Sequence, residues 1–276
     1  MTKLLFFDID GTLAYPGQTP PMSAVDAIRN ARKNGHKAFL STGRTIDSIP
    51  QAVADIGFDG GIFSSGGVIV SNDTILAQHF MCVSIVQAIL SLLLREGIFF
   101  ILETPEGRYN SENGQRILSQ TDLSSVSPKM QQLVHDVLFD PTAIPYERYI
   151  GQPVYKIAYY SADRSIASLL SGELKGLAKV VPFDNIPGFP LSTGEISDPM
   201  INKGSALESI CRHLGLHPAS SIAFGDSMND AEILSAAGLG VAMGNADPQL
   251  KNLADVICDS CENDGIAKTL FLLNLI

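Results

Sequence analysis

The chain has 276 residues, enough for one large domain or two modest ones with an ample core. With 45% hydrophobic and 17% charged residues it has the composition of a soluble globular protein and not of a disordered one. A net charge of −10 argues against nucleic acid and anionic membranes as partners, yet leaves room for a small anion held by local donors.

The apolar run Leu4–Phe7 predicts a buried strand, and Asp8-Ile9-Asp10-Gly11-Thr12-Leu13 follows it directly. Two carboxylates two residues apart share one side of an extended backbone, and the glycine permits a sharp exit from the strand. That pattern suits a nucleophilic carboxylate beside an acid/base carboxylate, with a hard cation between them. A four-residue match by chance has a probability on the order of 10⁻³ in a chain this long, so a plain surface turn is the weaker reading. Met1-Thr2-Lys3 runs straight into this strand, so no signal peptide is expected.

Further along, Ser23–Asn34 predicts an amphipathic helix with Ser23 as N-cap and Gly35 as its stop. Lys37–Leu40 and Gly61–Phe63 predict buried strands, with a helix over Ile46–Asp55 between them. From about Cys82 the rhythm changes. A long apolar helix, Val83–Arg95, is too short and too interrupted by Ser84, Gln87 and Ser91 to span a bilayer. It leads to a strand over Ile98–Glu103, a turn at Thr104–Gly107 and a polar helical section. The alternation in Val154–Ser161 suits an antiparallel strand with one wet face. A helix over Arg164–Leu174 and a strand over Lys179–Phe183 follow, closed by Asn185-Ile186-Pro187-Gly188. The first rhythm then returns: a helix over Lys203–Leu214, a strand over Ser221–Phe224, a helix over Asn229–Ala236 and a strand over Leu239–Ala242.

Strand and helix in this alternation predict an α/β fold, a doubly wound parallel-sheet core carrying an inserted α+β domain. The expected boundaries are 1–81 and 190–276 for the two parts of the core, with 82–189 inserted. Four cysteines, Cys82, Cys211, Cys258 and Cys261, suggest a reducing compartment, hence a cytoplasmic protein. Cys258 and Cys261 have CxxC spacing, but no second such pair accompanies them, and metal or redox chemistry there is the minor reading. The five histidines show no ligand pattern beyond His213/His217, which straddle a helix end.

Three motifs follow three predicted core strands: Asp8/Asp10, Ser41-Thr42-Gly43-Arg44, and Gly225-Asp226-Ser227-Met228-Asn229-Asp230. In a doubly wound sheet the carboxyl ends of the strands form one rim, where ligands bind. Lys203, at the start of its helix, could reach the same rim. This constellation suits phosphoryl transfer. Asp8 and Asp226, with Asp230 as a further candidate, supply oxygen ligands for Mg²⁺. A carboxylate nearing a phosphate meets a repulsion of roughly 4 kcal/mol per unit charge pair at ~4 Å, which the cation and Lys203 offset. The Thr42 hydroxyl and the Gly43 amide can donate to the phosphoryl oxygens. Asp10 would protonate the leaving oxygen and then activate water. Taken singly, Thr42 or Asp226 could be a helix cap and Lys203 a solvated side chain; jointly, on one rim, those readings fail.

These residues resemble the haloacid dehalogenase superfamily of aspartate-nucleophile phosphatases, specifically its Cof-type branch with a large inserted α+β cap. The likeness covers essentially the whole chain: DIDGTL, STGR, Lys203 and GDSMND, with Ala254–Ile257 and Asp264–Ala267 in the tail. It implies Asp8 as nucleophile and Asp10 as acid/base. It implies Mg²⁺ held by Asp8, the Asp10 main-chain carbonyl and Asp226, and phosphate held by Thr42, Gly43, Lys203 and Asn229. One departure is that the branch usually carries Asn-Gly after the third strand, where this chain has Ser64-Ser65-Gly66-Gly67. The expected activity is Mg²⁺-dependent hydrolysis of small phosphomonoesters, such as sugar phosphates or phosphorylated cofactors. A phosphomutase on the same scaffold is the rival, and a phospho-accepting signalling module the more distant one. Leaving-group contacts are expected from the insert, with Glu103, Arg108, Tyr109, Lys156 and Tyr159 as candidates.

Overall fold

The computed structural model describes residues 2–15, 17–183 and 188–276. In chain order its elements begin with β1 (Leu4–Phe7), α1 (Met22–Lys33), β2 (Lys37–Ser41), α2 (Gln51–Ala54), β3 (Gly60–Phe63), β4 (Val68–Ser71) and β5 (Thr74–Gln78). Next come α3 (Val83–Glu96), β6 (Phe99–Thr104), β7 (Gly107–Asn110), α4 (Gly114–Gln120), α5 (Pro128–Leu138), β8 (Ile144–Pro145), β9 (Lys156–Ser161), α6 (Ile166–Glu173), β10 (Lys179–Pro182) and β11 (Ser192–Ser197). The chain closes with α7 (Lys203–His213), β12 (Ser221–Gly225), α8 (Ala231–Ala236), β13 (Leu239–Ala242), α9 (Pro248–Leu253), β14 (Val256–Ile257) and α10 (Gly265–Leu272). Among the described residues no helix is long and apolar enough to cross a membrane.

The chain divides into two compact units, 1–79 with 200–276, and 80–199. The first holds an eight-stranded sheet in the order β14-β13-β12-β1-β2-β3-β4-β5. From β14 to β3 the pairs are parallel, and β4 and β5 continue antiparallel. The central strands are apolar on both faces because both are covered: Leu4, Leu5, Phe6 and Phe7 are all fully buried. Phe6 stacks on Phe39 of β2, and Phe7 on Phe224 of β12, with ring centroids 5.2 and 5.0 Å apart. Helices α1 and α10 pack together, as do α7 and α8. β1 lies at the middle of the sheet, so its carboxyl end sits between those of β2 and β12.

The second unit is built on a six-stranded sheet, β10-β11-β9-β6-β7-β8, antiparallel except for β7 with β8. Alternation along β6 fills two cores. Phe100 and Leu102 join a cluster with α3 and α6, while Phe99 and Ile101 join one with α4 and α5.

Four expectations are corrected. Ser23 is not the N-cap of α1; Pro21 precedes the helix, and the Ser23 hydroxyl donates to Asp264 Oδ1. The helix expected over Ile46–Asp55 is a 3₁₀ turn at Ile46–Ser48 followed by the single turn of α2. Pro50 separates them, since it cannot donate to a continuing helix. The second crossing between units lies at Pro199 and not at Phe189, because β11 pairs with β9 and β10. The face of β9 expected to be wet carries a buried lysine, Lys156. The closure expected at Asn185-Ile186-Pro187 lies outside the described residues.

Phe224 is 1% exposed in β12 and stacks on Phe7 beside the rim. Phe224→Ala should lower the unfolding free energy by about 3–5 kcal/mol, the usual range for emptying an aromatic core site, as read by urea denaturation.

Candidate active site

β1 delivers Asp8 to the end of the sheet, and the Asp8 N–H donates to the Phe224 carbonyl at 3.1 Å, extending the β1–β12 ladder by one residue. The chain then turns away through Gly11, whose φ is +90° and where a side chain would collide with the Asp226 carboxylate. That close approach lets Thr12 Oγ1 donate to Asp226 Oδ1 at 3.0 Å, while Asn245 Nδ2 donates to the Gly11 carbonyl at 2.8 Å. Asp226 leaves the end of β12 in the same way that Asp8 leaves β1. Four residues on, Asp230 Oδ2 accepts the N–H groups of Asp226 at 3.0 Å and Ser227 at 3.2 Å, fixing the short turn that enters α8. Its other oxygen faces Lys203.

Lys203 is the first residue of α7. Asn202 caps the helix, its Oδ1 accepting the Ser205 N–H at 2.9 Å. From there the fully buried ammonium donates to Asp230 Oδ1 at 2.6 Å, Asp8 Oδ1 at 2.9 Å and Asn229 Oδ1 at 3.4 Å. Three donors meet three acceptors, so this buried cation is saturated. Asn229 Oδ1 also accepts the Ser227 hydroxyl at 2.7 Å.

One ammonium stands against three carboxylates, and the imbalance appears in their proton affinities. Burial pushes the Asp8 carboxyl up to about 7, with Asp230 and Asp10 adding to the rise and Lys203 opposing it. Burial likewise raises Asp226 well above the usual carboxylate range, reinforced by Asp8 and Asp230. Burial works against the Lys203 charge, but Asp230 and Asp8 outweigh it and hold the lysine protonated. One oxygen from each of Asp8, Asp226 and Asp230 lies within 4.8 Å of the others. A set of hard carboxylate oxygens carrying surplus negative charge fits a divalent cation such as Mg²⁺.

At the neighbouring strand end, Thr42 is buried after β2. Its hydroxyl accepts the Arg44 N–H at 3.1 Å, which leaves the hydroxyl proton for another acceptor. Gly43 sits between them in an irregular bend that precedes the 3₁₀ turn at Ile46–Ser48. The Asp10 carboxylate does not join the three-aspartate cluster. Both of its oxygens are taken by Arg44, Nε to Oδ2 at 2.7 Å and Nη2 to Oδ1 at 2.8 Å. The sequence placed Arg44 in a motif and gave it no partner. Thr12, Ser227 and Asn245 were also missed, although Thr12 and Ser227 lie inside motifs already singled out.

Within 80–199 the candidates separate. Glu103 and Lys156 meet directly across β6 and β9, and Lys156 Nζ also pairs with Glu195 of β11, which the sequence did not suggest. Burial pushes the Glu103 carboxyl up to about 7, Glu195 adding to the rise and Lys156 opposing it. Arg108 pairs with Asp140 at 2.7 Å. Tyr109 and Tyr159 are buried in the apolar cluster shared with α3 and α6.

A family model of haloacid dehalogenase-like hydrolases matches residues 5–270, spanning all of these motifs. The chain belongs to this family. It is an enzyme of the hydrolase class, a phosphatase by family, and full-length relatives are named phosphatases. Phosphatase YwpJ of Bacillus subtilis is 25% identical over 96% of the chain and 97% of the relative. A phosphoglycolate phosphatase of Methanopyrus kandleri is 26% identical over 98% of the chain and 96% of the relative. The solved structure of BT1666, a haloalkanoate-superfamily phosphatase from Bacteroides thetaiotaomicron, has the same fold. It superposes with a TM-score of 0.80 at 22% identity, covering 100% of this chain and 96% of that one.

A carboxyl whose folded pKa is raised binds its proton more tightly in the native state, so its contribution to stability falls as pH rises from about 4 to about 7. In EDTA the Tm of the wild type should therefore drop between pH 5.5 and pH 7.5, and Asp8→Asn should flatten that drop. The Tm gained on adding Mg²⁺ should be larger at pH 7.5, where the cluster has lost its proton. Differential scanning fluorimetry at the two pH values checks both signs.

Proposed function

We propose that the protein is a Mg²⁺-dependent phosphatase of small phosphomonoesters, such as sugar phosphates or phosphorylated cofactors, working through an aspartyl-phosphate intermediate. The observation that carries this reading is the convergence of Asp8, Asp226, Asp230 and Lys203 on one buried cluster at the strand ends. A purely structural cluster gains nothing from a surplus of buried negative charge, whereas a site built for a cation and a phosphoryl group requires it.

In this reading Asp8 attacks phosphorus, forming a carboxylate–phosphorus bond as the bond to the leaving oxygen breaks. Lys203 fixes the orientation of the Asp8 carboxylate and offsets charge on the phosphoryl oxygens, to which the Thr42 hydroxyl and the Gly43 amide donate. Asn229 holds the lysine from its third side and completes the phosphate-binding set. Asp10 gives a proton to the leaving oxygen, then takes one from the water that hydrolyses the acyl phosphate. As Arg44 occupies both Asp10 oxygens, the acid step requires one of those bonds to open. Asp8 and Asp226, with the Asp10 main-chain carbonyl or the Asp230 carboxylate, would hold Mg²⁺. The cation, when bound, neutralises the phosphoryl oxygens as they meet the carboxylate.

We assign substrate selection to the inserted unit, since every phosphoryl-handling residue named here lies outside it. A cytoplasmic setting belongs to the same reading and is supported by four cysteines that are all free thiols.

Asp8→Asn should abolish release of inorganic phosphate from p-nitrophenyl phosphate while the fold is retained, because an amide cannot attack phosphorus. Lys203→Ala should lower kcat/KM by roughly 10²–10³, the scale for removing one preorganised charge-stabilising donor, and Lys203→Arg should rescue it poorly. Near-normal hydrolysis by a homogeneous Asp8→Asn preparation would sink the covalent mechanism.

A further inference from the structure

The turn joining β3 to β4 has a backbone that its residues do not favour. Ser64 and Ser65 have φ of 48° and 56°, and Gly66 has φ of 109°. Two consecutive non-glycine residues in the left-handed region are sterically strained, and both are buried. Such strain persists only where the surroundings hold it, and here the contacts on both sides are visible.

On one side the left-handed pair aims two successive N–H groups at the loop after β2. Ser64 donates to the Arg44 carbonyl at 2.9 Å and Ser65 to the Thr42 carbonyl at 3.1 Å. On the other side Gly66 presses on the backbone of Asn202. A Cβ at Gly66 would lie 2.6 Å from the Asn202 carbonyl oxygen and 2.8 Å from its carbon. Asn202 is the cap of α7 and directly precedes Lys203. One three-residue turn thus abuts both the Thr42–Arg44 loop and the N-terminus that launches the buried ammonium.

We propose that Ser64–Gly66 is a positioning element of the reaction, a spacer that sets the separation between the Thr42 loop and Lys203. It rests on the phosphatase reading for its catalytic consequence, but not for its mechanical one. The strained backbone shortens the turn so that its N–H groups and its glycine reach opposite neighbours at once. A relaxed turn would satisfy one of them and let the other drift.

Gly66→Ala tests this, with Gly238→Ala as its control. A methyl at Gly238 also meets a backbone carbonyl, that of Ala219, away from the cluster. At a temperature where circular dichroism shows both variants folded, Gly66→Ala should lower kcat about 10-fold or more with KM for p-nitrophenyl phosphate within about threefold, the signature of a lost transition-state contact. Gly238→Ala should keep kcat within about twofold despite its own loss of Tm. Equal kcat losses in the two, or a KM effect alone, would overturn the proposal. Should Gly66→Ala not fold, Ser65→Thr and Ser65→Asn replace it. Threonine resists the left-handed region and should lower kcat, whereas asparagine tolerates it and should preserve kcat. No difference between them would overturn the proposal.

A second readout needs no turnover. If the turn acts on Lys203, the Tm losses of Gly66→Ala, or of Ser65→Thr in its place, and of Lys203→Met combine to less than their sum in the double variant. Strict additivity would overturn the spacer, while an inactive wild type would sink the phosphatase reading and leave this measurement standing.

Discussion

Everything at the rim depends on one buried ammonium. Lys203 has no exposed side-chain surface, yet it carries a full charge, which is tolerable only because Asp8, Asp230 and Asn229 accept from it. Removing a charge of this kind from water costs several kcal/mol, and the partners must recover that cost. The arrangement therefore fixes more than a lysine. It requires the first residue of α7 to stand beside the ends of β1 and β12, which in turn requires the cap at Asn202 and the tight approach of the β3–β4 turn. The contact between residue 8 and residue 203 crosses 195 positions of sequence and ties the two parts of the first unit together.

The parallel core was legible because its strands are apolar on both faces and are bounded by glycine and polar residues. Leu4–Phe7 and Leu239–Ala242 could be delimited to the residue. The site was legible for a different reason: its carboxylates follow directly after those strands. What escaped was whatever depends on a partner distant in sequence. The Asp10–Arg44 fork is an example, since neither residue hints at the other and only the alignment of β1 beside β2 brings them together. Asp230 was already a further candidate on the rim, but its bond to Lys203 depends on geometry that a spacing of four residues leaves open.

In the second unit β6, β9 and β10 were expected close to their observed bounds, but the strand between β9 and β10 does not advertise itself. β11 has the sequence Ser-Thr-Gly-Glu-Ile-Ser, which reads as a loop, yet all six residues are buried. It is a strand because β9 and β10 flank it on either side and satisfy its backbone, and because Lys156 neutralises Glu195. A sequence pattern based on apolar periodicity misses a strand whose burial is supported by charge pairing. The same misreading displaced the expected boundary at Phe189 and put Lys156, which is buried, in a strand expected to have a wet face.

The strand order has a consequence for how the chain comes into being. β1 is made first but holds a central place, flanked by β2 on one side and by β12 on the other. Until residue 221 has left the ribosome, one edge of β1 has no neighbour, and the most apolar strand of the sheet presents unpaired peptide groups. The intervening 80–199 segment is contiguous, with its own sheet and two apolar clusters, and faces no such delay. An emerging chain thus carries an inserted unit whose own sheet is complete in sequence before the sheet it interrupts can close.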